Sequence, residues 1–208
     1  QVYEITPQVE GQLSDYQVVR TDSFNAPQFR GVTELFTHGY SKQRRSDQPF
    51  CKVMISTLDS LTLPLAIEIV KGGGPDVEHY MTNIKRVQNI LPQRGNLYVG
   101  DSQLGSMGNR LAIHSSGDYY LMPLNRKQCV SAELYGYLEQ IEGPVNELPG
   151  IFTANDDKRQ AAYFKEVSIL LKMQSDTAAN NTEWTERRIL VYSPKYAEGL
   201  LRSFSNRL

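Results

Sequence analysis

The run from Val77 to Leu91 constrains this chain more than any other stretch. Val77, Tyr80, Met81, Ile84, Val87 and Leu91 recur in steps of three and four, which makes one apolar face of a helix. Asp76 suits its N-cap, and Pro92 and Gly95 close it. It stands between two extended apolar stretches, Leu63 to Val70 before it and Leu97-Tyr98-Val99-Gly100-Asp101 directly after. A helix of that length between strands can act as a crossover, so the later strand can return parallel to an earlier one.

The earlier strand is Tyr16 to Asp22, short and β-branched, with the polar group Thr21, Asp22 and Ser23 reading as its end. Phe50 to Leu58 alternates, with Cys51, Val53 and Ile55 on one face and Phe50, Met54 and Leu58 on the other. Both faces look buried, as in a central strand. A turn at Asp59-Ser60 joins it to Leu63–Val70 as a hairpin, with Pro64 near the strand start, where proline is tolerated. After Asp101, Met107, Leu111 and Ala112 suggest a short helix stopping at Gly117, and Asp118 to Leu124 reads as a fifth strand. The order is three strands, helix, strand, helix, strand, an α/β pattern.

Beyond residue 126 the chain changes character. Val130, Leu134, Leu138 and Ile141 space as a helix, and residues 145–160 are mostly polar and turn-rich. Two long strands follow, 161–174 and 183–192, the second with Trp184, Ile189 and Val191 as its apolar residues. Residues 174–182 read as a solvated hairpin tip. Ser193-Pro194 opens a last helix in which Tyr196, Leu200, Leu201, Phe204 and Leu208 share a face. The segment Trp184 to Arg188 is most simply strand and surface charge, with a DNA contact as the alternative.

A formal charge of -1 gives no global pull toward nucleic acid, so any anionic partner must be held locally. No apolar run is long enough to cross a bilayer, and the start, QVYEITPQVE, lacks the pattern of a signal peptide, so the expected location is cytoplasmic. Cys51 and Cys129, the two cysteines, have no metal-like spacing and are expected as buried free thiols. Residues 1–15 form a polar lead-in, and an opening on Gln1 rather than Met suggests a fragment.

Two local groupings carry chemistry. Asp22 and Asp101 are expected at the ends of adjacent parallel strands, where two carboxylates can share hard divalent cations and support in-line phosphoryl displacement. The plainer alternative is that they cap a helix or satisfy a turn. His38-Gly39-Tyr40-Ser41-Lys42-Gln43-Arg44-Arg45 is the most basic stretch. Lys42, Arg44 and Arg45 could hold phosphates and Tyr40 could stack on a base, or the run could be a solvated loop. Gly72-Gly73-Gly74 is a tight turn, because the Lys-Ser/Thr pair of a phosphate loop is missing. His38, His79 and His114 show no zinc spacing.

Four stretches together resemble bacterial insertion-sequence DDE transposases with a ribonuclease H-like core interrupted by a strand-rich insertion. They are His38-Gly39-Tyr40-Ser41-Lys42, Leu63-Pro64-Leu65-Ala66, Leu97-Tyr98-Val99-Gly100-Asp101 and Gly117-Asp118-Tyr119-Tyr120-Leu121-Met122-Pro123-Leu124. The resemblance spans about residues 16–208, including the Glu186-Arg187-Arg188 strand. It implies a mixed sheet of three antiparallel strands plus parallel ones, with the core at 16–126 and the insertion, incomplete at its C-terminus, at 127–208. It implies Asp22 and Asp101 as the first two catalytic, metal-binding aspartates, with two Mg²⁺ or Mn²⁺ ions in the complete enzyme. The implied activity is metal-dependent DNA cleavage and strand transfer at element ends. The implied partners are DNA, as transposon end and as target, and further copies of the chain.

The family's third acid, a glutamate on a helix beyond the insertion, is expected beyond Leu208, and its amino-terminal DNA-binding region, which precedes the first aspartate, is expected to be missing. Relatives usually carry Ser-Lys-Asp-His-Arg-Pro-Asp where this chain has Ser41-Lys42-Gln43-Arg44-Arg45-Ser46-Asp47, and Gly-Asn where it has Gly72-Gly73. The competing reading is therefore a catalytically inactive fragment that only binds DNA or a full-length transposase. A small-molecule phosphoryl-transfer enzyme is disfavoured by the motif order.

Overall fold

The computed structural model describes residues 17–39, 47–59, 61–74, 77–153, 156–173 and 182–205. The chain divides into two units, Gln1–Gln128 and Cys129–Leu208.

In the first unit, β1 (Val18–Pro27), β2 (Phe50–Leu58), β3 (Leu63–Lys71), β4 (Leu97–Gly100) and β5 (Tyr119–Leu121) form one sheet in the order β3-β2-β1-β4-β5. The pairs β1–β2 and β2–β3 are antiparallel, while β1–β4 and β4–β5 are parallel. Helix α1 (Val77–Ile90) supplies the crossover from β3 to β4, and α2 (Met107–Ser115) the one from β4 to β5. This is the ribonuclease H-like mixed sheet: a three-strand meander extended by two parallel strands.

The apolar stripe of α1 explains how the layer closes. Tyr80, Ile84, Val87 and Leu91 are buried in one core with Val19, Met54, Leu58, Leu65, Tyr98, Leu104 and Ile113. Gly72 lets the turn after β3 press on the sheet edge, because a Cβ there would lie 2.0 Å from the Phe50 carbonyl oxygen. The other sheet face is open: Phe24, Ile67, Ile69, Tyr119 and Leu121 are all exposed, and Val53 and Ile55 are only half-buried. The expectation that β2 is buried on both faces therefore fails. Among the described residues of this unit, α1 and α2 feed apolar side chains into the core with Met54 and Leu58.

The second unit contains α3 (Ser131–Leu138), a 3-10 turn at Val145–Glu147, β6 (Gly150–Thr153), β7 (Asp156–Met173), β8 (Thr182–Tyr192) and α4 (Pro194–Ser205). Its antiparallel sheet has the order β6-β7-β8. β6 lies within the stretch read from sequence as polar turns. Gly150-Ile151-Phe152-Thr153 is short, and it pairs with an N-terminal part of β7 that begins five residues earlier than expected.

The faces of β8 also differ from expectation. Trp184, Glu186 and Arg188 are buried, whereas Ile189 and Val191 are exposed. Charge sits inside here because it is paired. Arg188 Nε donates to Glu186 Oε1 at 3.0 Å, and Nη1 donates to Glu133 Oε1 at 2.5 Å and to the Tyr137 hydroxyl at 3.1 Å. The Tyr137 hydroxyl donates to Glu133 at 2.5 Å, and the guanidinium lies 5.9 Å from the centre of the Tyr137 ring. Arg187 points outward and pairs with Glu166 through two 2.7 Å hydrogen bonds. Both arginines of the segment thus have carboxylate partners, and Arg188 is not surface charge.

Cys51 is buried, Cys129 is half-buried, and both are free thiols. The lead-in 1–15, the candidate DNA-contact residues Tyr40, Lys42, Arg44 and Arg45, the hairpin tip 174–181 and residues 206–208 lie outside the described residues. Among the described residues no helix is long and apolar enough to cross a membrane.

Candidate metal centre

Residue alternation along β1 turns Val19, Thr21, Ser23 and Asn25 inward and leaves Arg20, Asp22 and Phe24 exposed. The strand does not end at Asp22, as the polar trio Thr21-Asp22-Ser23 suggests, but runs on to Pro27 with Asp22 opposite Ile55 of β2. Those small polar residues stay in the strand because their side chains find partners. Thr21 Oγ1 and Ser56 Oγ lie 2.7 Å apart, and Ser56 Oγ donates to Asn83 Oδ1 of α1.

What ends near Asp22 is the neighbouring strand. The parallel register pairs Val18 with Leu97, Val19 with Tyr98, Arg20 with Val99 and Thr21 with Gly100. Asp22 is the next residue on β1 and Asp101 the first residue after β4, so each carboxylate-bearing position lies one residue past the last register pair, where β4 leaves the sheet. Such a departure point at the carboxyl end of a parallel strand is where open α/β sheets make a crevice.

Gly100 makes the turn after it tight. A Cβ there would meet the Leu104 side chain at 2.4 Å and the Thr21 carbonyl oxygen at 3.1 Å. Asp101 anchors that turn: its Oδ1 accepts from the backbone amides of Gln103 at 2.9 Å and Leu104 at 3.2 Å, and from the Tyr80 hydroxyl at 3.0 Å. Gln128 Nε2 holds the turn from its other side, donating to the carbonyls of Ser102 at 3.0 Å and Gly105 at 2.8 Å. Ser106 then caps α2, accepting from the Asn109 amide at 3.3 Å. Asp22 Oδ1 accepts from the amide of Ser23 at 2.7 Å. On both aspartates, Oδ2 receives no hydrogen bond among the described residues.

The neighbouring acids behave differently. Asp59 is locked to Arg20 through both its oxygens, and that guanidinium holds its carboxyl below the usual range. Asp118 is buried and fully engaged: Oδ1 accepts from the amides of Gly95 and Asn96, and Oδ2 from Gln88 and the Ser116 hydroxyl. Asp118 is therefore a structural acid that ties the entry of β4 to that of β5. Asp22 and Asp101 are the neighbouring pair with an oxygen to spare.

That donor set suits a hard cation with strong water retention. Mg²⁺ takes oxygen ligands, and one or two carboxylates with substrate phosphate suffice to hold it. Among the described residues no group of three His, Cys, Asp or Glu side chains converges. Thr37 and Phe50 bridge each other with two 3.1 Å hydrogen bonds, and the amide of Gly73 donates to Thr37 Oγ1 at 3.0 Å. Tyr80 and Gln128 were not legible as site residues in the sequence. Tyr80 reads there as one more apolar position on the α1 stripe, and Gln128 carries no local signal.

No family model matches the chain, and no curated protein matches it. Among solved structures, it is similar to a piggyBac transposase in a synaptic complex with hairpin DNA, at 12% identity and a TM-score of 0.45. That similarity covers 71% of this chain and 29% of the other. It is also similar to the Mos1 transposase in a paired-end complex with the left transposon end, at 9% identity and a TM-score of 0.38, covering 63% of this chain and 43% of that one. The chain thus spans less than half the length of each of these two structures.

Proposed function

We propose that this chain is the larger part of the catalytic region of a DDE transposase of the bacterial insertion-sequence type, which cleaves DNA and transfers strands at element ends. The observation that supports this reading is the β1–β4 register, which puts Asp22 and Asp101 each one residue past its last pair, each with one oxygen that no described residue hydrogen-bonds. Both fall at the motif positions that the resemblance assigns to the first two catalytic acids. On this reading residues 16–126 are the core and 127–208 the strand-rich insertion.

The chain's own contribution is binding and orientation. Asp22 Oδ2 and Asp101 Oδ2 would hold Mg²⁺ or Mn²⁺, while the turn 101–105 and Gly100 fix the second carboxylate against the first strand. Held by these two carboxylates, a divalent ion would supply Lewis-acid polarisation of a phosphodiester and a lowered pKa for an attacking water or hydroxyl. Lys42, Arg44 and Arg45 would hold the DNA backbone with salt-dependent affinity, and Tyr40 would stack on an unpaired base.

Nicking of supercoiled plasmid DNA in Mn²⁺ tests the reading. The expected result is nicking that disappears in Asp22→Asn and in Asp101→Asn and persists in Asp59→Asn. Nicking that survives both substitutions removes these residues from the chemistry. DNA binding without nicking in the unsubstituted chain favours the inactive-fragment alternative.

A further inference from the structure

The two oxygens of Asp101 have different surroundings. Oδ1 accepts three hydrogen bonds, which more than fills the two lone pairs of a carboxylate oxygen, and Oδ2 accepts none among the described residues. Two of the three donors are backbone amides of the turn that Asp101 itself begins. Any aspartate opening such a turn collects those. The third, the Tyr80 hydroxyl, comes from a different element and is not required by the turn.

Tyr80 has no exposed surface. A phenylalanine would fill the same space in the core and avoid the cost of burying a hydroxyl, so packing against Ile84 and Val87 does not explain the oxygen. Its partner does. The hydroxyl makes a charge-assisted bond at 3.0 Å to the carboxylate, the stronger class of hydrogen bond. One turn further along α1, Asn83 engages Ser56, which in turn bonds Thr21, the residue before Asp22. Helix α1 is therefore tied by hydrogen bonds to Asp101 directly and to the Asp22 strand through Ser56.

We propose that Tyr80 is a positioning residue for the metal centre. Its hydroxyl fixes the rotation of the Asp101 carboxylate by occupying Oδ1, which leaves Oδ2 as the single oxygen offered to a divalent cation. This rests on the metal-binding reading above and adds the residue that makes Asp101 a monodentate ligand. Partners that orient a ligand in this way typically contribute about 10- to 100-fold in metal affinity.

The test is Mn²⁺ titration followed by electron paramagnetic resonance on the unsubstituted chain, Tyr80→Phe and Asp101→Asn. A second arm places 3-fluorotyrosine at position 80 alone. We expect Tyr80→Phe to bind Mn²⁺ about tenfold more weakly, with its metal-free melting midpoint within a few degrees of the parent. The ¹⁹F resonance at position 80 should shift on adding Mg²⁺ and stay fixed when Asp101→Asn is also present. Equal Mn²⁺ affinity in Tyr80→Phe, or a ¹⁹F resonance indifferent to saturating Mg²⁺, overturns the role of Tyr80 while the metal site stands. If the unsubstituted chain takes up no Mn²⁺, the metal reading itself fails and this inference falls with it. Should Tyr80→Phe not fold, the fluorine arm decides alone.

Discussion

The first unit gathers twelve buried apolar residues, Val19 to Ile113, into one core under a five-stranded sheet. Among the described residues of the second, the buried apolar side chains are Ala162, Leu171 and Trp184, none of them from α3, and on the same strand face as Trp184 that unit buries Glu186 and Arg188. One unit is held by non-directional burial and the other by directional pairing. The difference bears on where a site can form. Two neighbouring carboxylates repel each other, and a unit stabilised by a continuous core can carry that cost at its rim. In the second unit the acids already serve the structure: Glu133 and Glu186 both engage Arg188.

The sharpest way to break this comparison is to remove apolar volume from each unit. Ile84→Ala should cost about 2–5 kcal/mol in thermal or denaturant unfolding, whereas Ile189→Ala on the exposed face of β8 should stay within about 0.5 kcal/mol. Similar losses from both would mean that burial holds both units alike.

Arg188→Ala should cost about 3–5 kcal/mol, because it strands Glu186 without its buried partner. The double replacement Arg188→Met with Glu186→Leu should recover most of that loss. If the double variant is as unstable as the single one, the pairing of charges is not what matters at this position.

A smaller effect separates the acids of the first unit. Asp118→Ala should cost about 1–3 kcal/mol, since it strips partners from the amides of Gly95 and Asn96. Asp22→Asn should leave stability unchanged or slightly higher, because it relieves repulsion at an exposed position. Equal destabilisation by the two would erase the distinction between structural and functional acid.

The smallest effect is one of pH. Glu133 is held below its ordinary 4.5 by the Tyr137 hydroxyl and by Arg188, and the Tyr137 hydroxyl is itself pushed up to about 12 by burial and by Glu133. A depressed carboxyl contributes its full stability above its unfolded value and loses it as pH falls toward the depressed folded value. Unfolding of the second unit should therefore become easier below about pH 4.5, and Glu133→Gln should flatten that dependence. A slope unaltered by Glu133→Gln would assign the acid sensitivity to other groups.

How far the sequence could be read follows the same division. Helix α1 and strands β2 to β4 are legible because burial leaves periodic traces: Tyr80, Ile84, Val87 and Leu91 in one period, Met54, Ser56 and Leu58 in the other. The end of β1 was not legible, because Thr21 and Ser23 look like turn residues until Ser56 and Asn83 arrive from elsewhere to satisfy the buried polar groups around them. β8 was misread for a related reason. An alternation of Trp184, Glu186 and Arg188 is visible, but nothing local reveals that Glu133 and Tyr137 come from a helix to pair with the charge. For the proposed site, the role of Asp22 and Asp101 is a proposal, and their placement beside the β1–β4 seam was legible through strand order. The contrast with Asp118 was not, since an acid with four donors and one with a spare oxygen look alike in sequence.

Calorimetric titration of Mn²⁺ probes the proposal that the seam where β4 leaves β1 binds a divalent cation through Asp22 and Asp101. The unsubstituted chain and Asp59→Asn should bind with equal affinity, while Asp22→Asn and Asp101→Asn should each weaken binding by about tenfold or more. Binding that is indifferent to Asp22 and Asp101, or lost equally in Asp59→Asn, would contradict it.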